Sequence, residues 1–268
     1  MCDTQKLYFQ DNGYLIVEDL VSKSELQALV EDTTQIFRGK YGMPGIMPIS
    51  DDASDEDALK NYLCVHMPHK FSDVQMSFVH HAGIVEALTR LIGPNVKCMQ
   101  SMLFVKPPGF PGQAWHQDEK YIPTEDKSLT GAWIAIDDAT TENGCLWVVP
   151  GSHKEPLREF GPQPDGDEYD GTGLMSVGVD ESKMVPCEMR AGSVVFFNGY
   201  LLHQSLKNRS HIYRRALVSH YMNADSQLPW CGKDDYRDII LVAGEDRYAG
   251  RGIEELSQPY LRPVSRPN

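Results

Sequence analysis

The chain has 268 residues, of which 41% are apolar and 24% charged, an ordinary balance for a globular domain. Its formal charge of −13 excludes a duplex nucleic-acid binder, which needs a basic face against phosphates. One basic pocket can still sit inside an acidic protein and hold a small anion.

The N-terminal stretch MCDTQKLYFQ has no basic region ahead of an apolar core, so no secretory leader is expected. Ser22-Lys23-Ser24-Glu25 has the S-x-x-E form in which serine and glutamate cap one helix end reciprocally. Leu26, Leu29, Val30, Thr33 and Phe37 follow at helical spacing, so the pattern predicts an amphipathic helix over 23–37. The acidic ISDDASDED reads as a solvated loop or a short exposed helix. His80 and His81 read as surface residues ahead of a second helix over 82–91, which carries Ile84, Val85, Leu88 and Leu91 on one face and stops at Gly93-Pro94.

From Val96 the period changes. The runs VKCMQSMLFVK, TGAWIAIDD, GCLWVVP, GSVVFFNG and RRALVSHYM, bounded by Gly, Pro, Asn and Asp, predict an all-β sandwich or barrel with helices outside it. The expected organisation is a single domain with a helical part over 1–95, a β core over 96–223 and an extension over 224–268. Residues 154–184 are polar, rich in Gly, Pro and Asp, and too long for an ordinary connection, which suggests a lid or a binding loop. The cysteines at 2, 64, 98, 145, 187 and 231 form no C-x-x-C pair, which points away from a zinc knuckle or redox dithiol and toward a reducing cytosol. No apolar run reaches the ~20 residues that span a bilayer. The C-terminal SRPN is not the peroxisomal Ser-Lys-Leu address, so a cytoplasmic location is expected.

The stretch AWHQDEKY carries the first sign of chemistry. In an extended chain His116 and Asp118 leave the same face while Gln117 points away. An H-x-D alone arises readily by chance. His203 follows the strand-like GSVVFFNG, however, and Arg214 follows His203 by eleven residues. Two histidines and a carboxylate form the facial set that holds non-haem Fe(II) and leaves coordination positions open. A 2-oxo acid chelating that iron wants a counter-charge for its distal carboxylate, which arginine supplies as paired hydrogen bonds. Ser205 shares the face of His203 and can add another; Arg215, adjacent to Arg214, should face outward.

Taken in order, NGYLIVEDLVSKSEL, QSMLFVKPPGFPGQAWHQDEKYIP, GAWIAIDDATTENGCLWVVPGSH and GYLLHQSLKNRSHIYRRALVSHYMNAD resemble the phytanoyl-CoA dioxygenase family of Fe(II)- and 2-oxoglutarate-dependent oxygenases. The resemblance implies a mainly β fold with flanking helices, a double-stranded β-helix of the jelly-roll, cupin-like kind. It implies His116, Asp118 and His203 as iron ligands and Arg214 as the 2-oxoglutarate arginine, with Ser205, Trp133 and Met102 lining the co-substrate pocket and Gln100 beside them. A further polar contact should come from Lys60, His66, His69 or Lys70. The implied reaction uses Fe(II), 2-oxoglutarate and O2 to hydroxylate a small metabolite, releasing succinate and CO2. Halogenating relatives lack the carboxylate, so Asp118 points to hydroxylation, or to desaturation by the same route.

Two other readings compete: a jelly-roll protein that binds metal and 2-oxoglutarate without turnover, and a zinc hydrolase. The hydrolase lacks the glutamate base of H-E-x-x-H and leaves Arg214 unexplained. His66, His69 and Lys70, if they face the site, would suit an anionic substrate. His220 reads as a structural histidine, His153 as a turn residue, Trp115 and Trp147 as core, and Tyr121 as a flank of the metal motif. An acyl-CoA, an amino-acid derivative, a phosphonate or another secondary metabolite all remain open as substrate.

Overall fold

The computed structural model describes residues 1–171, 173–228, 239–248 and 259–263. The amino-terminal third runs α1 (Asp3–Asn12), β1 (Tyr14–Val17), α2 (Lys23–Phe37), α3 (Asp55–Leu59), β2 (Tyr62–His66), α4 (Asp73–Val79) and α5 (Ala82–Leu91). The β-rich part runs β3 (Val96–Lys106), β4 (Gln113–His116), β5 (Thr130–Ala135), β6 (Leu146–Val148), β7 (Phe160–Pro162), β8 (Leu174–Ser176), β9 (Val185–Cys187), β10 (Val194–Asn198), β11 (His203–Ser205) and β12 (Arg214–Asn223). Two further strands follow, β13 (Ile240–Ala243) and β14 (Tyr260–Pro263).

Local chemistry explains the helices. Ser22 and Glu25 form the reciprocal cap, with the Ser22 backbone N–H donating to Glu25 Oε2 at 2.9 Å and the Glu25 N–H donating to Ser22 Oγ at 3.3 Å. Helix α2 then spans the expected 23–37, and α5 the expected 82–91. The acidic stretch resolves into the short helix α3, capped by Ser54.

The strands form a large antiparallel sheet in the order β1-β10-β5-β12-β3-β2-β14, with β13 also on β3, and a smaller antiparallel sheet in the order β4-β11-β6-β9. Together they make the expected jelly roll. Strand alternation separates two cores. Leu103, Val105 and Leu217 point to the helices, where they pack with Leu29, Ile36, Ile84 and Leu88. Their neighbours Met102 and Val218 point the other way, toward the small sheet, and pack with Trp133, Leu146 and Phe197. The helices therefore brace the back of the large sheet, and its front faces the second sheet.

The organisation differs from the expected division in three places. The helical part also donates β1 and β2 to the large sheet. The extension contributes β13 and β14, whose outward-reaching backbone groups find partners on β3 and β2. Segment 154–184 is not one open loop: it holds the β7–β8 ribbon, and its Tyr169 bridges to Gly112. Cys231 lies outside the described residues. Among the described residues, no helix is long and apolar enough to cross a membrane.

Gly131 on β5 shows how little slack the inner core has. A Cβ there would meet the Phe197 ring at 2.3 Å, and that ring already packs on His203 with centroids 4.7 Å apart. Gly131→Ala is expected to cost about 1–3 kcal/mol through overpacking, read as a lower urea midpoint with an unchanged slope.

Candidate active site

A cavity of about 310 Å³ opens between the two sheets. The small sheet supplies His116, at the end of β4, and His203, at the start of β11; the two are direct partners in the β4–β11 register. Asp118 follows where the chain leaves the strand through an extended Gln117 and enters a single 3-10 turn. Gln117 does point away, donating to the Tyr200 carbonyl at 2.6 Å and accepting from the Arg158 backbone N–H at 2.8 Å. One ligand atom each from His116, Asp118 and His203 lies within 4.8 Å of the others.

Hydrogen bonds settle which imidazole nitrogens face the shared point. His116 Nδ1 lies 2.8 Å from the Ala114 carbonyl oxygen, and His203 Nδ1 lies 2.9 Å from that of Leu201. A carbonyl oxygen only accepts, so each Nδ1 carries the proton and each Nε2 keeps its lone pair. Those Nε2 atoms stand 3.6 and 3.7 Å from Asp118 Oδ1. Burial, followed by the nearby His203 ring, pushes the His116 imidazole down to about 3, so no proton competes for its lone pair at neutral pH. Burial alone would raise the Asp118 carboxyl. The imidazoles of His220, His203 and His116 outweigh it and hold the group below the usual carboxylate range. The donor set, its convergence and its protonation all fit a ferrous ion.

The large sheet supplies the opposite wall. On β12 every second residue faces inward, which places Arg214, Val218 and His220 along the cavity. Arg215, between them in sense, faces out and pairs with Asp137 at 2.6 Å, as expected. Arg214 is 3% exposed and its Nε has no hydrogen-bond partner among the described residues. Its guanidinium lies over the Trp133 ring, 5.4 Å from the centroid, and burial lowers it to about 10. A buried, unpartnered guanidinium is costly unless an anion comes to it, and a carboxylate of 2-oxoglutarate fits that need. Directly opposite in register, on β3, stands Lys106, whose amine donates to Ser205 Oγ at 3.0 Å and to the Leu206 carbonyl at 2.7 Å. Burial first, and then the Arg214 charge, hold its ammonium form well below the usual lysine range. Ser205, Trp133, Met102 and Gln100 all line the cavity.

The cluster of His66, His69 and Lys70 does not stay together at the site. His66 lines the cavity and stacks on Tyr260 with centroids 3.9 Å apart. The intervening 3-10 turn carries His69 away to Ser101, 2.6 Å from its hydroxyl. Lys70 is outside the cavity lining, and so is Lys60, which pairs with Asp57 at 2.5 Å. Three charged residues not singled out from the sequence also line it. Lys106 is four residues from Met102 along one strand face, a spacing that could have revealed it. Arg262 on β14 and Asp170 in the 154–184 segment meet at 2.8 Å beside the mouth, and no local pattern joins positions so far apart. His220, read from sequence as structural, donates to Asp118; its even spacing from Arg214 was the available signal.

The model of the phytanoyl-CoA dioxygenase family matches residues 9–216. The chain is 30% identical to a phytanoyl-CoA dioxygenase of Arabidopsis thaliana, over 81% of this chain and 87% of that protein. It is 27% identical to a probable alpha-ketoglutarate-dependent hypophosphite dioxygenase of Stutzerimonas stutzeri, over 96% and 91%. Among solved structures, the non-heme monooxygenase ThoJ in its apo form superposes with a TM-score of 0.72 at 20% identity, covering 93% of this chain and 86% of that one, a likeness of fold.

Co(II) titration followed by visible absorption tests the convergent set. The parent is expected to bind the ion, and His203→Ala to bind it at least about 100-fold more weakly, beyond the usual loss for an outer-shell partner.

Proposed function

The chain belongs to the phytanoyl-CoA dioxygenase family, and on that premise we propose that His116, Asp118 and His203 hold the iron of an Fe(II)- and 2-oxoglutarate-dependent dioxygenase, with Arg214, Lys106 and Ser205 holding the co-substrate. The reaction hydroxylates a C–H bond of a small molecule. One observation carries the reading: three convergent ligand atoms share a cavity with a buried guanidinium that has no carboxylate partner among the described residues.

When bound, iron, 2-oxoglutarate and O2 supply the oxidising power, and succinate and CO2 leave with the hydroxylated product. The residues of the chain do the positioning. The Nε2 lone pairs of His116 and His203 and one oxygen of Asp118 form a face for the metal. Arg214 neutralises the distal carboxylate of 2-oxoglutarate, with Trp133 fixing the plane of the guanidinium. Ser205 and Lys106 reach the same end of the cavity from β11 and β3. Met102, Leu146, Phe197 and Val218 line the space between, and their burial keeps water from the reacting centre. The five described cysteines are free thiols, which suits the cytosol as the compartment we assign.

Succinate release from 2-oxoglutarate, dependent on Fe(II) and on an added substrate from a metabolite library, is the expected signature of turnover. Tight 2-oxoglutarate binding with no succinate from any member would favour a binder without turnover. Arg214→Ala is expected to lose at least about 10-fold in 2-oxoglutarate affinity, the worth of a charge-assisted hydrogen bond, while Fe(II) affinity stays at the parent value. Unchanged 2-oxoglutarate affinity would remove Arg214 from the pocket.

Lys106 gives that affinity a pH dependence. In the free protein its amine is held below its ordinary value, and an arriving carboxylate stabilises the ammonium form and raises it. Binding therefore takes up a proton, so 2-oxoglutarate affinity should be highest below the free-state value and fall as pH rises through it. Calorimetry at a series of alkaline pH values should show this decline in the parent and a flatter profile in Lys106→Met.

A further inference from the structure

Two buried histidines of the cavity, His66 and His220, ligate nothing in this scheme, and His220 touches the metal face. His220 is 4% exposed and its imidazole contacts two side chains. Its Nε2 lies 2.8 Å from Asp118 Oδ2, and its Nδ1 lies 3.1 Å from Gln100 Nε2. An amide nitrogen donates, so Nδ1 accepts and Nε2 must carry the proton that goes to Asp118. Gln100 is itself 6% exposed, and its Nε2 also reaches Met102 Sδ at 3.4 Å, which fixes the amide from a second side. The result is a directed chain of donors, Gln100 to His220 to Asp118, each pointing toward the carboxylate.

The two oxygens of Asp118 are thereby made different. Oδ2 is taken by His220, while Oδ1 stands toward the Nε2 atoms of His116 and His203. In an octahedral ferrous site, three protein atoms leave three positions open. A carboxylate that turned both oxygens to the metal would leave two, which a chelating 2-oxo acid would fill, with none for dioxygen. Building on the iron and 2-oxoglutarate assignment above, we propose that His220, with its tautomer set by Gln100, is a positioning residue that confines Asp118 to single-oxygen ligation and so keeps the last coordination position free.

The strand register explains how the chain achieves this. His220 is the β12 partner of both Gln100 on β3 and Gly131 on β5. Gln100 is therefore beside it by backbone pairing, and on the other flank the Phe197 ring fills the space over Gly131. The ring reaches across from the large sheet to a carboxylate that leaves the end of β4. One contact between the large sheet and the loop leaving the small one is thus made beside the three convergent ligand atoms.

The test uses the full chain loaded anaerobically with Fe(II), and reads the affinity for the metal and the visible charge-transfer band that appears when 2-oxoglutarate chelates it. His220→Leu should lower Fe(II) affinity about 10–100-fold, as loss of an outer-shell partner does, and should shift or weaken the band. His220→Gln, whose amide can still donate to Oδ2, should recover much of both. Gln100→Leu should fall between, since it frees the tautomer without removing the ring. Parent-like affinity and band in a folded His220→Leu would overturn the proposal, as would equal defects in the Leu and Gln variants when circular dichroism shows both folded. If His220→Leu does not fold, Gln100→Leu decides: a parent-like band and affinity there overturn the proposal. A parent protein that takes up no Fe(II) would instead overturn the functional assignment beneath it.

Discussion

Two opposite charges are buried between the sheets, and they are not paired with each other. Asp118 is surrounded by imidazoles, while Arg214 stands on the other wall over Trp133. In a low-dielectric interior an uncompensated ion costs several kcal/mol, more than most single contacts supply. A protein selected only for stability would join the two or replace them with apolar groups. Here the strand register keeps them apart, on opposite walls of one cavity of about 310 Å³. The remaining features of the cavity follow from maintaining that separation.

Strand β12 does most of this. Its outward residues pack on the helices or pair at the surface, as Leu217 and Arg215 do. Its inward residues line the cavity in turn, with Arg214 opposite Lys106, Val218 in the middle and His220 against Asp118. Because β12 lies between β3 and β5, Val218 and His220 have ladder partners on both sides, while Arg214 has one on β3. Arg214 meets Lys106, Val218 meets Met102 and Trp133, and His220 meets Gln100. The opposition of Arg214 and Lys106 is the least stable of these pairings, since two basic groups directly across a ladder repel. Burial, followed by the Arg214 charge, correspondingly holds the Lys106 ammonium below the usual lysine range.

Sequence reading was most informative where chemistry and strand period coincide. His116 and Asp118 share a face by their spacing, Arg214 and Arg215 divide inward and outward by theirs, and the cap at Ser22 marks its helix to the residue. It was least informative where one turn redirects a side chain. His66, His69 and Lys70 lie within five positions, yet only His66 stays on the strand; the turn at Pro68 sends the other two elsewhere. The same limit applies to pairings made across the fold. His220 shares the parity of Arg214 and so its face, but its partner Asp118 lies far away in the chain, where no local pattern reaches. No local pattern places β14 or its Arg262 at the cavity, because β14 pairs with β2, as in Tyr260 with His66, from the far side of the β-rich part.

That distant pairing brings a late segment of the chain to a cavity built mostly by earlier ones. The family match ends at residue 216 and contains His116, Asp118, His203, Ser205, Lys106 and Arg214. The rim is finished by Tyr260 and Arg262, which lie beyond it, together with Phe160, Asp170 and Leu174 from the 154–184 segment. The ion pair of Arg262 with the nearly inaccessible Asp170 fastens the two rim pieces to each other. The Gly112 N–H, donating to the Glu168 carbonyl at 2.7 Å, fastens the segment to the approach to β4. A Cβ at Gly112 would stand 1.9 Å from the Ser205 carbonyl oxygen, so this close approach requires glycine. The register thus sets the distance between Asp118 and Arg214, while the Arg262–Asp170 ion pair and the Gly112–Glu168 hydrogen bond hold the 154–184 segment against the same cavity.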